Sequence, residues 1–369
     1  MFKVLIYGAG SIGNHLAYAS RSKGWDVLMC DIDAQALKRS KELIYPSRYG
    51  AWDNSIRLMM LNDIPDDDYD LVVIGTPPAS HIALATEILQ KNNPPKVLLI
   101  EKAFCLPSLE GAQQFYALAQ SKQTATCVAY NNTLTKNTRF TEALLAENSI
   151  GTPQTMSACF REDWSYILGA HPWLKHPGET YVGFSHQGGG SVSEQSHGLN
   201  LWQHFAHRMG MGRVAEVSAV LDFVDDKNAR YDRRCKMQLT TERGLVGNIV
   251  QDVITKPAQK QIRIQGSAGF IEWHAHRTDG TDAVIYTTSS EETKTKVIKK
   301  KRADDFIGEI NHIEALLKGN TVDDSPISLE RGLNTMMVVA AAHKSHAQRR
   351  IVRINYKAGY TQDALEPVS

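Results

Sequence analysis

Three glycines at fixed spacing form the strongest chemical signal in this sequence. Gly8, Gly10 and Gly13 follow the apolar run 3–7, which is too short for a helix and β-branched enough for a buried strand. They open the segment 14–23, which has the character of a helix. Gly8 suits a tight turn, Gly10 leaves room for a backbone to approach a pyrophosphate, and Gly13 lets the helix pack closely on the strand. The spacing predicts a dinucleotide whose phosphates lie at the N-terminus of that helix.

An acid follows the next strand-like run, 25–30. Asp31 stands about as far downstream as the carboxylate that accepts hydrogen bonds from an adenosine ribose. A carboxylate there repels a 2′-phosphate, and no arginine stands directly beside it to receive one. We therefore expect NAD rather than NADP.

Two further strand-like runs, 70–75 and 96–100, also end on polar residues. Ligands lie outside the carboxyl ends of parallel strands, so Gly8, Asp31, Thr76 and Lys102 are expected to line one crevice. An ammonium beside a reacting oxygen polarises it and holds the substrate, which makes Lys102 a predicted catalytic residue. The alternative is that Lys102 caps a sheet edge or pairs with Glu101.

His197 follows the glycine run 188–190, which allows cofactor and substrate to approach closely. Its unperturbed pKa near 6.5 suits proton transfer at neutral pH. A predicted helix over 191–207 carries Glu194, His197, Asn200 and His204 mostly on one face. Glu194 and Asn200 are candidates to orient His197 or to bind hydroxyls, with a solvent-facing role equally open.

The irregular stretch before the glycine run is rich in aromatic residues. Trp164, His171 and Trp173 are candidates to stack on a sugar or nucleotide ring, and core packing is at least as good an interpretation. No His-Glu-x-x-His pattern or cysteine-histidine ligand set occurs in the sequence, so we expect no metal site.

The elements that must position these residues divide near residue 130. Up to there, strands alternate with helices, which predicts a Rossmann fold with a doubly wound parallel sheet over 1–130. Segment 45–61 is irregular, with a possible strand at 56–61. From 131 to 369 we expect an α+β domain, with an open, mostly antiparallel sheet between 214 and 297, helices at 304–318 and 329–347, and a last strand at 351–354. The last helix is a candidate to pack back on the first domain.

Composition narrows the class of protein. The 369 residues are 42% hydrophobic and 22% charged, with a formal charge of +1, so no overall field attracts nucleic acid or an anionic membrane. The sequence shows no leader and no apolar run of membrane length, which predicts a cytoplasmic protein. The five cysteines have no paired spacing and read as buried thiols. The sheet strands carry more apolar positions than one buried face needs, which predicts a homodimer or homotetramer.

Taken together, these motifs resemble the glucose-fructose oxidoreductase, inositol dehydrogenase and rhizopine-catabolism family, Gfo/Idh/MocA. The resemblance rests on the residues 8–13 with Asp31, on 75–81, on Glu101-Lys102, on 188–190 with His197, and on 326–332. The part from Trp164 to Trp202 looks most like members found in bacterial surface-sugar biosynthesis. The family implies a dinucleotide domain, a second domain whose sheet forms an oligomer interface, and oxidation or reduction of a sugar carbon.

The resemblance also implies site residues. It implies that Lys102, His197 and Glu194 are catalytic and that Trp164, Trp173 and Asn200 bind the substrate. The cofactor-binding residues are Gly8, Gly10, Ser11, Ile12, Gly13, Asp31, Thr76, Pro77, His81 and Glu101.

Three positions depart from the family pattern. Ala103 replaces the proline of Glu-Lys-Pro, and because cis peptides before non-proline residues are costly, we expect a different placement of Lys102. Glu194 stands three residues before His197 instead of four. Asn132-Thr133 follow Tyr130-Asn131 where an arginine is common.

The sequence therefore predicts an NAD-dependent oxidoreductase acting on a sugar, an amino sugar or a nucleotide sugar. Two alternatives stay open at this stage. One is a non-catalytic regulator of the same fold that binds NAD or a sugar, and the other is an NAD-dependent glycosidase. A pure regulator has no need of Lys102 and His197, which favours the enzyme.

Overall fold

The computed structural model describes residues 1–169, 171–226, 228–288, 292–321 and 325–368. The chain forms two compact units. The first consists of 1–104, 114–131 and 301–332, and the second of 105–113, 132–300 and 333–369. The first unit thus includes a late segment that the predicted division at residue 130 leaves in the second domain.

The first unit is built on six parallel strands in the order β3-β2-β1-β4-β5-β6. This order reverses between β1 and β4, which is where a doubly wound sheet opens its crevice. The strands are β1 Lys3–Tyr7, β2 Asp26–Asp31, β3 Ile56–Met60, β4 Leu71–Ile74, β5 Val97–Ile100 and β6 Ala125–Val128. The residues of β4 and β5 are all buried, as expected for strands covered on both faces. The prediction of a Rossmann fold is confirmed.

Five α-helices lie in the part of the chain that forms this sheet: α1 Ser11–Arg21, α2 Ala34–Arg39, α3 Pro46–Tyr49, α4 His81–Gln90 and α5 Ala112–Gln120. A single π-helical turn, Ser40–Ile44, joins α2 to α3. The segment 45–61, unplaced by the sequence except for a possible strand, therefore contains both α3 and β3.

The late segment of the first unit packs on α1. It contains α10, Arg302–Leu317, and the start of α11, Leu329–Gln348. Phe306 stacks on His15 with ring centroids 4.2 Å apart, and Lys23 Nζ lies 2.7 Å from a carboxylate oxygen of Glu314. These contacts complete one face of the parallel sheet with a helix from far along the chain.

The second unit contains a ten-stranded sheet in the order β14-β13-β12-β11-β7-β10-β9-β8-β15-β16. The strands β7 and β10 pair in parallel and the other neighbours are antiparallel. The strands are β7 Pro153–Arg161, β8 Val214–Asp226, β9 Ala229–Thr241, β10 Val246–Asp252, β11 Gln259–Gly266, β12 Phe270–Ala275, β13 Asp282–Thr287, β14 Thr293–Ile298, β15 Val352–Ile354 and β16 Leu365–Pro367. The predicted mostly antiparallel sheet is confirmed.

Among the described residues, the remaining α-helices before α10 are α6 Lys136–Ala146, α7 Trp164–Gly169, α8 Gly190–Glu194 and α9 Ser196–Arg208. The prediction of one helix over 191–207 is wrong, because the helix is interrupted at Gln195, between α8 and α9. No helix in the described ranges has the length and apolar character needed to cross a membrane.

Candidate NAD site and substrate residues

The glycine loop of the first unit has almost no room for side chains. Gly8 has φ +100°, and a Cβ there would lie 2.7 Å from the carbonyl oxygen of Gly75. A Cβ on Gly13 would lie 2.0 Å from the carbonyl oxygen of Gly8. Gly10 differs, since a Cβ there would meet nothing within 4 Å. Gly8 and Gly13 thus close the turn, and Gly10 leaves open space beside it.

The helix after this loop begins without a side-chain cap. Gly10 is the N-cap residue of α1, and the first turn contains no acid. Arg48 from α3 donates from Nη1 to the Ser11 carbonyl and from Nη2 to Ser11 Oγ, both at 2.9 Å. An uncapped helix N-terminus with an arginine beside it favours an anion. Together with the open space at Gly10, these residues fit a dinucleotide pyrophosphate.

Arg48 is a candidate that the sequence analysis missed. It lies in the segment 45–61, where the sequence carries no periodicity that would place it. Only the three-dimensional structure brings it to Ser11, 37 residues earlier.

Asp31 ends β2 beside the glycine loop. Its two carboxylate oxygens accept the backbone N–H groups of Ala9 at 2.8 Å and Asp33 at 2.9 Å. Each oxygen keeps a further lone pair for a ribose hydroxyl. The next residue, Ile32, is 77% exposed and offers an apolar surface. This arrangement fits the adenosine half of NAD.

His81 joins the loops that follow β4 and β5. Its ring is fully buried, with Nε2 2.7 Å from the Thr76 carbonyl oxygen and Nδ1 3.1 Å from that of Ala103. Burial lowers the pKa of His81. The ring therefore holds two backbone segments together and is enclosed by them, which differs from the direct cofactor contact implied by the resemblance. Thr76 is half-buried with Oγ1 2.7 Å from Ser80 Oγ, and Pro77 is exposed.

Two residues follow the end of β5 at Ile100: Glu101 is buried and Lys102 is half-buried. The Lys102–Ala103 peptide bond is cis. The conformation that alanine was expected to disfavour is the one that the chain adopts here.

A buried acid that the sequence analysis missed lies near Glu101. Glu309 of α10 is fully buried, and its Oε2 accepts a long hydrogen bond of 3.5 Å from Asn131 Nδ2. Burial and the negative charge of Glu101 hold the pKa of Glu309 well above its usual range. In the sequence, Glu309 is one acid among several on a helix and gives no signal of burial.

In the second unit, Glu194 and His197 are both half-buried. Because the helix is interrupted at Gln195, Glu194 belongs to α8 and His197 to α9. The prediction that both lie on one face of a continuous helix is therefore wrong. Asn200 is 4% exposed and donates from Nδ2 to Thr335 Oγ1 at 3.0 Å. His204 Nε2 lies 2.9 Å from Glu142 Oε1. Asn200 and His204 thus each have a partner within the second unit, and Asn200 Oδ1 is buried with no hydrogen-bond partner among the described residues. The substrate contact expected of Asn200 stays a prediction.

The two tryptophans have different environments. Trp164 is 7% exposed and packs against Tyr231 in a cluster with Val182, Ala229 and Val253. Trp173 is half-buried, with its ring centroid 5.2 Å from that of His171. Trp164 is therefore a core residue, and Trp173 keeps a partly accessible face.

Among the described residues, no group of three or more His, Cys, Asp or Glu side chains is arranged to hold a metal ion. The five cysteines are free thiols, four of them buried. Burial raises the pKa of Cys30 to about 12.

Comparison with known protein families finds two matches along the chain. Residues 2–130 match the GFO_IDH_MocA oxidoreductase family with its NAD-binding Rossmann fold, and residues 138–272 match the GFO/IDH/MocA C-terminal domain. A comparison with curated proteins finds no match.

The fold is similar to several solved structures. An NAD binding oxidoreductase from Klebsiella pneumoniae has a TM-score of 0.77 and 16% identity over 95% of this chain and 98% of that one. Levoglucosan dehydrogenase in complex with NADH and levoglucosan has a TM-score of 0.76 and 17% identity over 95% and 99%. The WlbA dehydrogenase from Bordetella pertussis, in complex with NADH and UDP-GlcNAcA, has a TM-score of 0.69 and 16% identity over 96% and 98%.

At these identities, the similarity to solved structures establishes the fold. The two family matches cover most of the chain and agree with the glycine loop, Asp31 and the six-stranded parallel sheet. The first unit is an NAD-binding Rossmann domain, and the chain belongs to the GFO/IDH/MocA oxidoreductase family.

Proposed function

We propose that this protein is an NAD-dependent oxidoreductase that transfers a hydride between the nicotinamide and a carbon of a sugar, an amino sugar or a nucleotide sugar. The observation that carries the proposal is the position of Lys102. It stands two residues after the end of β5, at the carboxyl edge of the sheet where β1 and β2 end in the glycine loop and Asp31. Structural neighbours crystallised with levoglucosan and with UDP-GlcNAcA support a sugar as the substrate class.

Bound NAD supplies the hydride acceptor or donor. On this proposal, the Lys102 ammonium holds and polarises the reacting oxygen, because a fixed positive charge stabilises negative charge that develops there. His197 exchanges the proton of the same hydroxyl, a role that suits imidazole at neutral pH. Glu194, at the end of α8, is the alternative proton carrier.

The test is incubation of the protein with NAD and a panel of sugars, amino sugars and nucleotide sugars, read by the absorbance of NADH. With the sugar that reacts best, Lys102→Ala and His197→Ala should each lower turnover by about a hundredfold or more. Affinity for NAD should stay nearly unchanged, because neither residue is assigned to the adenosine half.

Two variants serve as matched controls. Lys96 stands at the opposite end of β5, where its exposed ammonium pairs with Asp70, and His186 is exposed in the second unit. Lys96→Ala and His186→Ala should keep full turnover.

Four results would redirect the assignment. Loss of NAD binding in Lys102→Ala or His197→Ala would make those residues structural. Undiminished turnover in His197→Ala would move proton transfer to Glu194. A wild-type protein that binds NAD and sugars yet never reduces NAD would be a regulator, and release of a free sugar from a glycoside without net NADH would indicate a glycosidase.

A further inference from the structure

A buried carboxylate in the second unit holds the turn that contains the three glycines. Asp232 of β9 is fully buried. Its Oδ1 accepts the Ser185 hydroxyl at 2.7 Å, and its Oδ2 accepts the Ser191 hydroxyl at 2.7 Å and the Val192 N–H at 2.8 Å. Its own N–H donates to Ser185 Oγ at 3.0 Å. Donors on both sides of Gly188-Gly189-Gly190 therefore converge on one side chain.

Gly190 shows why this turn requires glycine. It has φ +80°, and a Cβ there would lie 2.1 Å from Asp232 Oδ1 and 2.8 Å from Ser185 Oγ. The backbone thus passes directly against the carboxylate. At this position, glycine is needed by an internal partner, whereas the sequence suggested only close approach to a ligand.

Neutral donors surround this carboxylate. Among the described residues, no lysine or arginine lies within ion-pair distance of Asp232, and the titratable side chains that interact with it electrostatically are His343 and Cys235. A charge in a protein interior is costly when no hydrogen-bond donor faces it. Hydrogen bonds to an ionised acceptor are about twice as strong as those between neutral groups. The three donors therefore form a strong and directional attachment.

The chain runs from this attachment to His197 through few residues. Val192 belongs to α8, which ends at Glu194. The carbonyl of the next residue, Gln195, accepts a hydrogen bond from the buried Gln251 side chain. On the far side, a Cβ on Gly198 would lie 2.4 Å from the Phe160 ring. The backbone at His197 is therefore fixed at points before and after it.

We infer that Asp232 is a positioning residue for His197: through Ser191 and Val192 it fixes α8, and thereby the place from which His197 exchanges a proton. The inference rests on the proposed function, since it assumes that His197 takes part in catalysis. It also predicts that Asp232 restrains the backbone of residues 188–197, which can be measured without turnover.

The test uses the full chain and a pair of serine variants on one helix. Ser191→Ala removes one of the three bonds to Asp232. Ser193→Ala removes an equally buried hydroxyl two residues later that has no hydrogen-bond partner among the described residues. Asp232→Asn is the stronger change, and Ser191→Ala keeps the test decisive if that variant does not fold.

Two readouts are taken on each variant. The first is mass spectrometry of amide hydrogen exchange over 188–197 and of exchange at the His197 Cε1 hydrogen. The second is kcat and KM for NAD and for the best sugar of the panel. We expect Ser191→Ala to speed exchange in 188–197 by about tenfold, equivalent to about 1.4 kcal/mol, and to lower kcat by a similar factor with KM for NAD unchanged. Ser193→Ala should match wild type.

Exchange and kcat that are the same in Ser191→Ala and Ser193→Ala would overturn the inference. Faster exchange in Ser191→Ala with unchanged kcat and unchanged exchange at His197 would also overturn it, because the carboxylate would then be merely structural. If wild type shows no turnover, the proposed function fails, and the exchange rate at His197 alone decides whether Asp232 positions this residue.

Discussion

Replacing Asp31 by asparagine tests how this chain selects its cofactor. The Asp31 carboxylate accepts backbone hydrogen bonds from Ala9 and Asp33 at 2.8 and 2.9 Å. Asparagine keeps the size of the side chain and removes its charge. It also replaces one acceptor oxygen by an NH₂ group that faces a backbone donor. The change therefore weakens the acceptor without opening a cavity.

The two cofactors should respond differently. A hydrogen bond to a charged group contributes about 1.5–3 kcal/mol, so Asp31→Asn should weaken NAD by about tenfold to a hundredfold. For NADP the variant also removes a repulsion, which is about 4 kcal/mol for two unit charges 4 Å apart near a protein surface and less in salt. The ratio of the dissociation constants, NADP over NAD, should therefore fall by at least about tenfold.

Calorimetric titration of wild type and variant with NAD and NADP, at low and at physiological salt, measures this ratio. Asp33→Asn is the matched control. The Asp33 carboxylate caps α2 through the Gln35 N–H at 2.9 Å and pairs with Arg39 at 3.1 Å. Its substitution should leave the ratio close to that of wild type. Wild-type protein that binds NADP tenfold better than NAD, or an Asp31→Asn ratio equal to that of Asp33→Asn, would refute the role given to Asp31.

Stability, cofactor affinity and assembly give three further tests. Burial and the charges of Arg48 and Arg302 lower the pKa of His15 to about 3, so the unfolded chain binds this proton from about pH 6.5 downward while the folded chain does not. The free energy of unfolding should therefore fall below pH 6.5 by up to about 1.4 kcal/mol per pH unit, and urea unfolding of His15→Phe should show a shallower fall than wild type. Gly13→Ala places a Cβ 2.0 Å from the Gly8 carbonyl oxygen and should weaken NAD by at least about tenfold in the same titration, whereas Gly169→Ala, where a Cβ meets nothing within 4 Å, should not. For the second unit we predict a homodimer or homotetramer through the ten-stranded sheet, in which Val220, Val246 and Val297 are 68%, 42% and 48% exposed, and a monomer mass by light scattering at micromolar protein would contradict this prediction.

Local sterics explain which parts of the site could be predicted from sequence. The turn conformation of Gly8 and the close approach of Gly13 to the Gly8 carbonyl involve residues five apart, and their spacing encodes both. Asp31 is similarly predictable, because it ends a strand whose apolar pattern is plain.

Long-range burial explains what the sequence could not predict. Glu309 and Asp232 are ordinary acids in the sequence, and only partners from distant segments make them buried groups. Gln195 breaks a helix that periodicity continues through, since its carbonyl is bound by Gln251, 56 residues later. Secondary-structure propensity depends on residues that are near in sequence, so it does not reveal such distant partners.

The return of segment 301–332 to the first unit has a consequence for synthesis. At roughly 5–20 residues per second, the 169 residues from 132 to 300 take on the order of 10 to 30 seconds to translate. During that time α1 lacks Phe306 against His15 and Glu314 against Lys23. The first unit therefore cannot be complete until residues 301–332 are made, and until then α1 lacks these partners at His15 and Lys23. The strands of the second unit up to β14 are synthesised before that point.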